Sequence, residues 1–420
     1  MVGVFCFRND LRLHDNQALR EALSACDRLY LVYAFEERYW QASPPRLAIH
    51  RAKFLLESLK CLEEKILLLG GNLAYLFGNI ENVLPKFMED VGAEKCFISE
   101  ENAWEEKNSE KALGQIIHLE LAYNKTLIHN EDLPFDLVDL PQTFSKFRKL
   151  VEAKWHIRPD IRPPDSLNHT GKFSTELPSL KSFGFKNVSR KKSYFSFYGG
   201  TEQAHLRLQD WVWNKKNLST YKESRNYLRG ADFSSRFSPW IAHGCLSPRE
   251  IYFEVKKYEM KHGENESTYW LIFELLWRDF FHFTARLYGS KIFHRLGIHP
   301  ERPLLTEPDN AAELLSQWQE GQTQDRFINA NMNELRETGW MSNRGRQNVA
   351  SYLIHDLGLD WRKGAVWFEQ QLIDYDPCCN YGNWLYLSGY GNDPQKSRSF
   401  NTAKQALLYD QDGSYTKDWA

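Results

Sequence analysis

The sequence lacks the common signatures of nucleotide-binding and membrane proteins. It contains neither the G-x-G-x-x-G turn of dinucleotide-binding folds nor the G-x-x-x-x-G-K-[ST] loop of P-loop NTPases, which argues against a dehydrogenase and a P-loop enzyme. It has no run of about 18 or more apolar residues, so no membrane span is predicted. Because Val2–Phe7 already has the pattern of a strand, no signal peptide is expected, and we predict a cytoplasmic protein.

Cysteine is also scarce, and neither its spacing nor the charge balance marks a site. The seven cysteines follow no C-x-x-C or His/Cys metal spacing, and the adjacent Cys378 and Cys379 suit an ordinary disulfide poorly. We therefore expect reduced thiols, as in a cytosol-like compartment, and no metal site. The net charge of −2 produces no overall basic field, so any contact with nucleic acid requires a local patch.

Aromatic residues, by contrast, are abundant. The chain has 14 Trp, 20 Tyr and 26 Phe among its 420 residues. Such large side chains can simply fill a core, or they can line a cofactor pocket and a stacking surface. Composition leaves both interpretations open.

The predicted first domain, residues 1–130, alternates short β-rich runs with helical patterns such as Leu47–Leu68. This alternation predicts an α/β fold with a doubly wound parallel sheet, whose ligands bind at the carboxyl ends of the strands. The predicted strands are Val2–Phe7, Leu29–Phe35, Leu73–Phe77, Lys95–Ser99 and Thr126–His129.

The character of the sequence changes after this domain. Residues 131–200 form the predicted interdomain linker, because Pro, Gly, Ser and Lys dominate from about Pro159 to Gly200. Its basic run Lys186–Lys192 is either a solvated loop or a contact with DNA phosphates. Residues 201–420 predict an all-α domain that holds a cofactor. The predicted helices are Thr201–Leu218, Thr268–Tyr288, Ala311–Gly321, Asn329–Thr338, Asn343–Leu357 and Ala365–Ile373.

Polar groups in the segment Phe327–Tyr386 suit a redox cofactor. Arg346 can pair with a carboxylate, and Asp374 or Asp376 can accept hydrogen bonds from a polar ring edge. Asn380 can contact a ring nitrogen without adding charge. The DYDPCCN stretch is not a calcium loop, because an EF-hand needs an oxygen ligand and a glycine where the two cysteines stand. A structural turn is the alternative interpretation.

A serine-rich turn precedes the helix that begins near Pro239. Ser234, Ser235 and Ser238 surround Arg236 and supply hydroxyl groups and a guanidinium. Such groups before a helix can bind phosphate, or they can merely cap the turn.

These segments together resemble the photolyase/cryptochrome flavoproteins, and in detail the cryptochrome-DASH branch. The resemblance extends from FRNDLRLHDN at Phe7–Asn16 to YGNDPQKSRSFN at Tyr390–Asn401. It implies an N-terminal antenna domain and a C-terminal helical domain that binds FAD. The residues it assigns to the flavin are Tyr221, Ser234, Ser235, Arg236, Phe237, Ser238, Arg278, Asn343, Arg346, Asp374, Asp376 and Asn380.

The resemblance also implies a substrate rim. In ELLWRDF, Glu274, Trp277 and Arg278 lie close together on a helix, although a Glu–Arg pair at this spacing is common without any function. Glu274 would hydrogen-bond, and could protonate, a flipped pyrimidine pair, and Trp277 would stack on it. Arg278 would face the flavin or a DNA phosphate, and Arg344 would point to DNA.

A few positions distinguish the branches of the family. Ser342 and Asn343 stand where (6-4) photolyases and animal cryptochromes carry a His-His pair. Gln347 stands where duplex-acting cyclobutane photolyases usually have Met, and Tyr386 where they have a second pocket Trp. These departures resemble the DASH branch and imply weak activity on duplex DNA.

Tryptophans of the C-terminal domain match the family's electron-transfer chain. Trp384 and Trp361 correspond to its inner and middle members. The position of the outer member is occupied by Pro308, so another aromatic residue would have to replace it. Trp318 and Trp367 are the candidates.

Glu100–Ala112 and Asp132–Glu152 resemble the folate-antenna region of the DASH branch. Glu106, or alternatively Glu105, would bind the polar edge of the pterin, with Phe144 and Phe147 nearby. The expected antenna is 5,10-methenyltetrahydrofolate, although a deazaflavin stays open. A plain charged helix is the alternative for the first segment.

The resemblance implies light-driven repair of cyclobutane pyrimidine dimers by electron transfer from photoexcited reduced FAD. Single-stranded or looped DNA would be the preferred substrate. Two other functions stay open: a blue-light photoreceptor that signals through the flavin redox state, and a flavin electron-transfer protein that needs no Glu274. We expect a monomer that binds DNA, with RNA open as a second partner and no membrane contact.

Overall fold

The computed structural model of the protein describes residues 1–42, 45–173, 175–186, 193–304, 306–393 and 398–420. The basic run predicted at Lys186–Lys192 therefore lies, apart from Lys186, outside the described residues. Within the described ranges, no helix is long and apolar enough to cross a membrane. All seven cysteines are free, including the adjacent Cys378 and Cys379.

Parallel strands form a sheet in the N-terminal part of the chain. Side chains of the first strand alternate between two core clusters: Phe5 and Phe7 pack on one face, and Val4 and Cys6 on the other. Both faces are thus buried, which confirms the predicted doubly wound parallel sheet. The strands of the described chain are β1 (Val2–Phe7), β2 (Arg28–Phe35), β3 (Leu73–Phe77), β4 (Lys95–Ser99) and β5 (Leu119–Ala122), in the spatial order β3-β2-β1-β4-β5.

The fifth strand is not the predicted one. The prediction placed it at Thr126–His129, but β5 is Leu119–Ala122, paired with β4. The backbone N–H groups of Leu127 and Ile128 donate instead to the two carboxylate oxygens of Asp279, at 3.0 and 2.9 Å. A side chain from the helical part therefore satisfies the backbone groups that a sheet would otherwise have paired.

Helices form most of the remaining ordered chain. Two predicted helices, Thr201–Leu218 and Asn343–Leu357, end early and continue as π-helical turns at Gln209–Asn214 and Tyr352–Asp356. The predicted linker contains a helix of its own, Phe144–Lys154. The α-helices are α1 (Gln17–Ala25), α2 (Glu37–Trp40), α3 (Ile49–Leu68), α4 (Ile80–Val91), α5 (Trp104–Gly114), α6 (Phe144–Lys154), α7 (Thr201–Leu208), α8 (Tyr221–Ser224), α9 (Ser238–Ala242), α10 (Pro248–His262), α11 (Glu266–Tyr288), α12 (Ala311–Glu320), α13 (Arg326–Thr338), α14 (Asn343–Ser351), α15 (Trp361–Gln371), α16 (Pro377–Ser388), α17 (Thr402–Tyr409) and α18 (Ser414–Asp418).

Helix α11 is the central element of the helical part. Asn265 caps its first turn by accepting a hydrogen bond from the backbone N–H of Thr268 at 2.9 Å. The helix packs against α6, α8, α10 and α16 and is buried along most of its length. These contacts fix the orientation of α11 about its own axis, and Glu274 and Arg278 face the interior of the helical part.

A buried ion pair joins the sheet to the helical part. Asp15, in the loop after β1, is fully buried and accepts hydrogen bonds from Arg249 on α10 and from the hydroxyl of Ser247. The next residue, Asn16, caps α1 by accepting from the N–H of Leu19 at 3.1 Å. The loop FRNDLRLHDN, which carries part of the resemblance, therefore also connects the sheet to the helical part.

Removing the charge of Asp15 should destabilise the protein strongly. In Asp15→Asn the shape is nearly kept, but Arg249 stays buried beside a neutral partner, and breaking such a pair costs about 3–5 kcal/mol. We expect this loss in the free energy of unfolding from urea titrations. The matched control is Asp27→Asn, since Asp27 pairs with the N-terminal amine in solvent. Equal free energies of unfolding for Asp15→Asn and Asp27→Asn would contradict the structural role of the Asp15–Arg249 pair.

Candidate functional site

A cavity of about 300 Å³ lies within the helical part. Residues of α9, α11, α14 and the segment that leads into α16 line it. The structure brings all of the sequence-predicted flavin residues to its wall. They are Tyr221, Ser234, Ser235, Arg236, Phe237, Ser238, Arg278, Asn343, Arg346, Asp374, Asp376 and Asn380. Glu274, Gln347 and Trp384, which were predicted for other roles, line it as well.

The carboxylate of Asp374 organises one side of this cavity. Its Oδ2 accepts from the guanidinium of Arg346 at 2.7 Å and from the hydroxyl of Ser238 at 2.6 Å. Its Oδ1 is buried and has no hydrogen-bond partner among the described residues. A buried acceptor without a partner is costly, so the wall suits a polar ligand that donates a hydrogen bond there.

Asp376 is the second buried carboxylate of the wall. It caps α16 by accepting from the N–H of Cys379 at 2.9 Å, and it lies 3.2 Å from Nε2 of His282. Burial alone would raise the pKa of Asp376, but the charges of His282 and Arg278 hold it below its usual range. Asn380, one turn into α16, donates its amide to the carbonyl of Ala365 at 3.0 Å.

The serine-rich turn is held by Arg236. This residue has a left-handed backbone with φ of 58°, and its guanidinium lies 3.9 Å from the ring centre of Trp340. It donates to the carbonyl oxygens of Gly230 and Ala231 at 2.6 and 3.1 Å. Arg236 thus closes the turn, which leaves the neighbouring serine hydroxyls to line the cavity.

Glu274 lies at the side of the cavity formed by α11. It accepts hydrogen bonds from Arg225 and from the indole N–H of Trp270, the latter at 3.1 Å. Burial raises the pKa of Glu274, and the charge of Arg225 opposes this rise only in part. Arg225 was not among the predicted site residues, although it lies in the same YKESRNYLRG segment as Tyr221.

Trp277 does not line the cavity and packs in an aromatic stack beside it. Its ring is stacked on Phe144, with centroids 3.8 Å apart, and meets the edge of Tyr386 at 5.5 Å. Phe147, on the same face of α6, is fully buried. The structure therefore places Phe144 beside Trp277, and Phe147 beside Phe280 and Phe283, because α6 packs on α11.

The predicted DNA contacts differ in their surroundings. Gln347 lies on the cavity wall, and its Oε1 is buried without a partner in the described part of the chain. Arg344 lies off the wall, where it donates to the side chain of Asn226 at 2.9 Å and lies over the ring of Tyr409.

The tryptophans lie close together around α15. Trp384, on α16, packs so tightly against Gly364 of α15 that a Cβ at position 364 would have no space. Trp361 lies on α15, one turn before Gly364. Trp318 is fully buried and contacts Trp384 with ring centroids 6.4 Å apart. Because Trp318 is fully buried, it cannot be the surface end of an electron path. The ring of Trp361 lies edge-on to that of Tyr381, with ring centroids 6.0 Å apart.

A second cavity, of about 490 Å³, lies at the carboxyl ends of β1 and β2. Glu106 on α5 lines it, and its Oε2 is buried without a hydrogen-bond partner among the described residues. Glu105 differs, because Arg46 donates to both of its oxygens at 2.8 and 2.7 Å. Of the two alternatives, Glu106 therefore offers the free acceptor. Asp376 lines this cavity as well as the first one.

Comparisons with known proteins agree with this architecture. Residues 4–165 match the family model described as DNA photolyase, and residues 270–420 match the FAD binding domain of DNA photolyase. A protein of Danio rerio named Cryptochrome DASH is 42% identical over 432 residues, which cover 99% of this chain and 82% of the relative. The Cryptochrome DASH of Synechocystis is 44% identical, over 98% of this chain and 86% of its own.

Solved structures resemble the whole chain. The crystal structure of a Synechocystis cryptochrome superposes with a TM-score of 0.93 at 42% identity and covers 100% of this chain and 88% of its own. A class III photolyase from Agrobacterium tumefaciens reaches a TM-score of 0.84 at 25% identity, over 99% of this chain and 86% of its own. The all-α character of the C-terminal part is thereby confirmed.

Rising pH should destabilise the protein through Glu106. Burial raises the pKa of Glu106 from 4.5 to about 7, so the protonated carboxyl favours the folded state, and this stability is lost as the pH rises through that range. We expect Glu106→Gln to reduce the fall in thermal midpoint between about pH 5.5 and about pH 8. Glu105→Gln should keep the fall, since Arg46 lowers the pKa of Glu105. If the thermal midpoint fell equally with pH in the wild type and in Glu106→Gln, Glu106 would not be the group responsible.

Proposed function

Because the chain belongs to the photolyase/cryptochrome family, in its cryptochrome-DASH branch, we propose that it repairs cyclobutane pyrimidine dimers in DNA with light. The first cavity binds FAD, and the dimer docks at the cavity mouth beside Trp277. Single-stranded or looped DNA is the preferred substrate. What FAD supplies when bound is a light-driven electron, which the dimer takes up and returns as its ring opens.

The observation that carries this proposal is the set of buried polar groups without partners. Oδ1 of Asp374 is such an acceptor and suits a ring N–H or an amino group. Arg346 holds this carboxylate in place at 2.7 Å. Asn380 donates its amide to Ala365, which leaves its own carbonyl oxygen to accept a hydrogen bond from a reduced ring. The neutral side chain of Asn380 also tolerates an adjacent negative charge better than a carboxylate would.

The groups at the side of the cavity suit a flipped base pair. Burial raises the pKa of Glu274, and its carboxyl group lies on the cavity wall, where it can form hydrogen bonds with the polar edge of a pyrimidine. Trp277 and Tyr386 form an aromatic corner on which a flat apolar surface can pack. This mixture of an apolar wall and a polar edge is what an extruded base requires.

Tyr386 and Gln347 support the preference for single strands. Flipping a lesion out of a duplex costs a few kcal/mol, and the cost falls where the base is already unpaired. Tyr386 offers less stacking area than the Trp expected in a duplex-acting enzyme. The carboxamide of Gln347 offers a base less apolar contact than Met would, and its buried Oε1 still needs a hydrogen-bond donor when a base enters. Weaker compensation of the flipping cost therefore favours unpaired DNA.

Repair should be faster on single strands than on duplexes. The FAD-containing, photoreduced protein is mixed with matched oligonucleotides that carry one thymine dimer, and repair is followed under blue light. Since each 1.4 kcal/mol corresponds to a factor of ten, we expect a difference of about tenfold or more. Equal rates would contradict the substrate preference. Absence of repair on both, with FAD bound and reducible by light, would favour a photoreceptor instead.

Two variants of α11 test whether Glu274 contacts the substrate. Glu274→Ala should lower single-strand repair about fivefold, the value of about 1 kcal/mol for a lost hydrogen bond, while bound FAD stays unchanged. The matched control is Glu266→Ala, because Glu266 lies on the same helix but pairs with Lys222 at the surface, so repair by this variant should equal that of the wild type. Identical rates in the two variants would exclude Glu274 from substrate contact.

The second cavity is the proposed antenna site, occupied by 5,10-methenyltetrahydrofolate. The free Oε2 of Glu106 suits the amino edge of a pterin, and the rings of Tyr39 and Trp40 supply flat apolar walls. The two cavities share Asp376, so the two chromophores would be neighbours. A photolyase of Sulfolobus tokodaii has been solved with two FAD molecules, which makes a second flavin the competing occupant.

Folate binding should depend on Glu106. After incubation with folate and gel filtration, we expect Glu106→Gln to retain at least about tenfold less of it than the wild type, as judged by near-ultraviolet absorbance. Glu105→Gln is the matched control and should retain as much as the wild type, provided that its Arg46 contact serves only the fold. Two FAD molecules per chain, with no folate retained, would contradict the antenna assignment.

A further inference from the structure

A third group of reactive side chains lies away from both cavities. His14 follows β1, His205 lies on α7, and Glu250 lies on α10. None of the three belongs to the wall of either cavity. The group is located at the junction between the sheet and the helical part, beside the Asp15–Arg249 pair.

The two imidazoles converge on one carboxylate. Nε2 of His14 lies 2.6 Å from one oxygen of Glu250, and Nε2 of His205 lies 2.7 Å from the other. All three ligand atoms lie within 4.8 Å of one another. The arrangement thus points three metal-binding atoms at a common centre.

Hydrogen bonding accounts for this arrangement only in part. The contact of His14 with Glu250 is a hydrogen bond, but Nε2 of His205 is buried and has no partner of hydrogen-bond geometry among the described residues. Two ring nitrogens that face one carboxylate need either two bound protons or one shared cation, because lone pairs and a negative charge repel each other.

We propose that His14, His205 and Glu250 bind one Zn²⁺ ion. Two histidines and one glutamate are a common zinc ligand set, with solvent in the fourth position. Zinc bonds of about 2.0–2.1 Å separate two tetrahedral ligand atoms by about 3.3 Å, so each imidazole nitrogen moves away from the carboxylate of Glu250 by less than about 1 Å. His14 and Glu250 are each 17% exposed and His205 is 42% exposed, which gives them this freedom.

The ion clamps three segments that are distant in the sequence. It connects the loop after β1 to α7 and α10, and it therefore adds to the attachment that Asp15 and Arg249 provide. Zinc takes the place of the protons on the imidazole nitrogens that face Glu250. The expected role is stabilisation of the folded protein and not catalysis.

Zinc titration of the FAD-containing full-length protein tests this site. The metal-stripped wild type should bind one Zn²⁺ from zinc chloride in calorimetry, with a rise in thermal midpoint. Loss of even an outer partner of a metal ligand costs about 10–100-fold in affinity, so His14→Ala and His205→Ala should each weaken binding at least about tenfold. His118→Ala is the matched control, because His118 lies 3.2 Å from Glu120 without a second histidine, and its affinity should be unchanged.

The variant Cys379→Ser distinguishes the proposed zinc site from a second cluster of possible ligands. His282, Asp376 and Cys379 also lie within ligand distance of one another, between the two cavities. Cys379→Ser should leave zinc affinity unchanged. Zinc binding that survives His205→Ala, or that disappears in Cys379→Ser, overturns the proposal, as does absence of binding by the wild type. Equal thermal midpoints of the metal-free wild type and variants show that the variants fold. Glu250→Gln, which keeps the shape of the side chain, must also lose the rise in thermal midpoint that zinc causes.

Discussion

The buried carboxylate of Asp376 is the constraint on which the rest of the site depends. It stands between the two cavities, starts α16 through the N–H of Cys379, and stays ionised because His282 and Arg278 surround it. A charge in the interior is tolerated only when it is paired and hydrogen-bonded. The sheet, α11 and α16 must therefore meet in one arrangement, since each of them contributes to this pairing or to the walls beside it.

The same arrangement explains why the two cavities are neighbours. The carboxyl ends of the strands form one wall of the second cavity, as expected for a doubly wound sheet. The helical part closes that cavity with the start of α16, and the opposite side of the same segment lines the first cavity. The two cavities thus share the short stretch of protein around Asp376.

Sequence patterns predicted the elements that are defined locally. Four of the five strands and the long helices α3 and α11 were recognised, because their apolar residues repeat at the spacing of the element itself. The strand expected at Thr126–His129 was wrong, since Asp279 binds those backbone groups from far along the chain. All of the residues named for the flavin lie on one cavity wall, although their roles stay predictions.

The sequence by itself determined the family, the order of helices and strands, and the chemical types available to the site. Only the tertiary structure decided which of two adjacent glutamates is free, because Arg46 engages Glu105 and leaves Glu106 without a partner. It likewise brought His14 and His205 together with a shared glutamate, a group that no spacing motif could reveal. Periodicity records which face of an element is buried, whereas contacts between distant segments arise from packing, which local sequence does not encode.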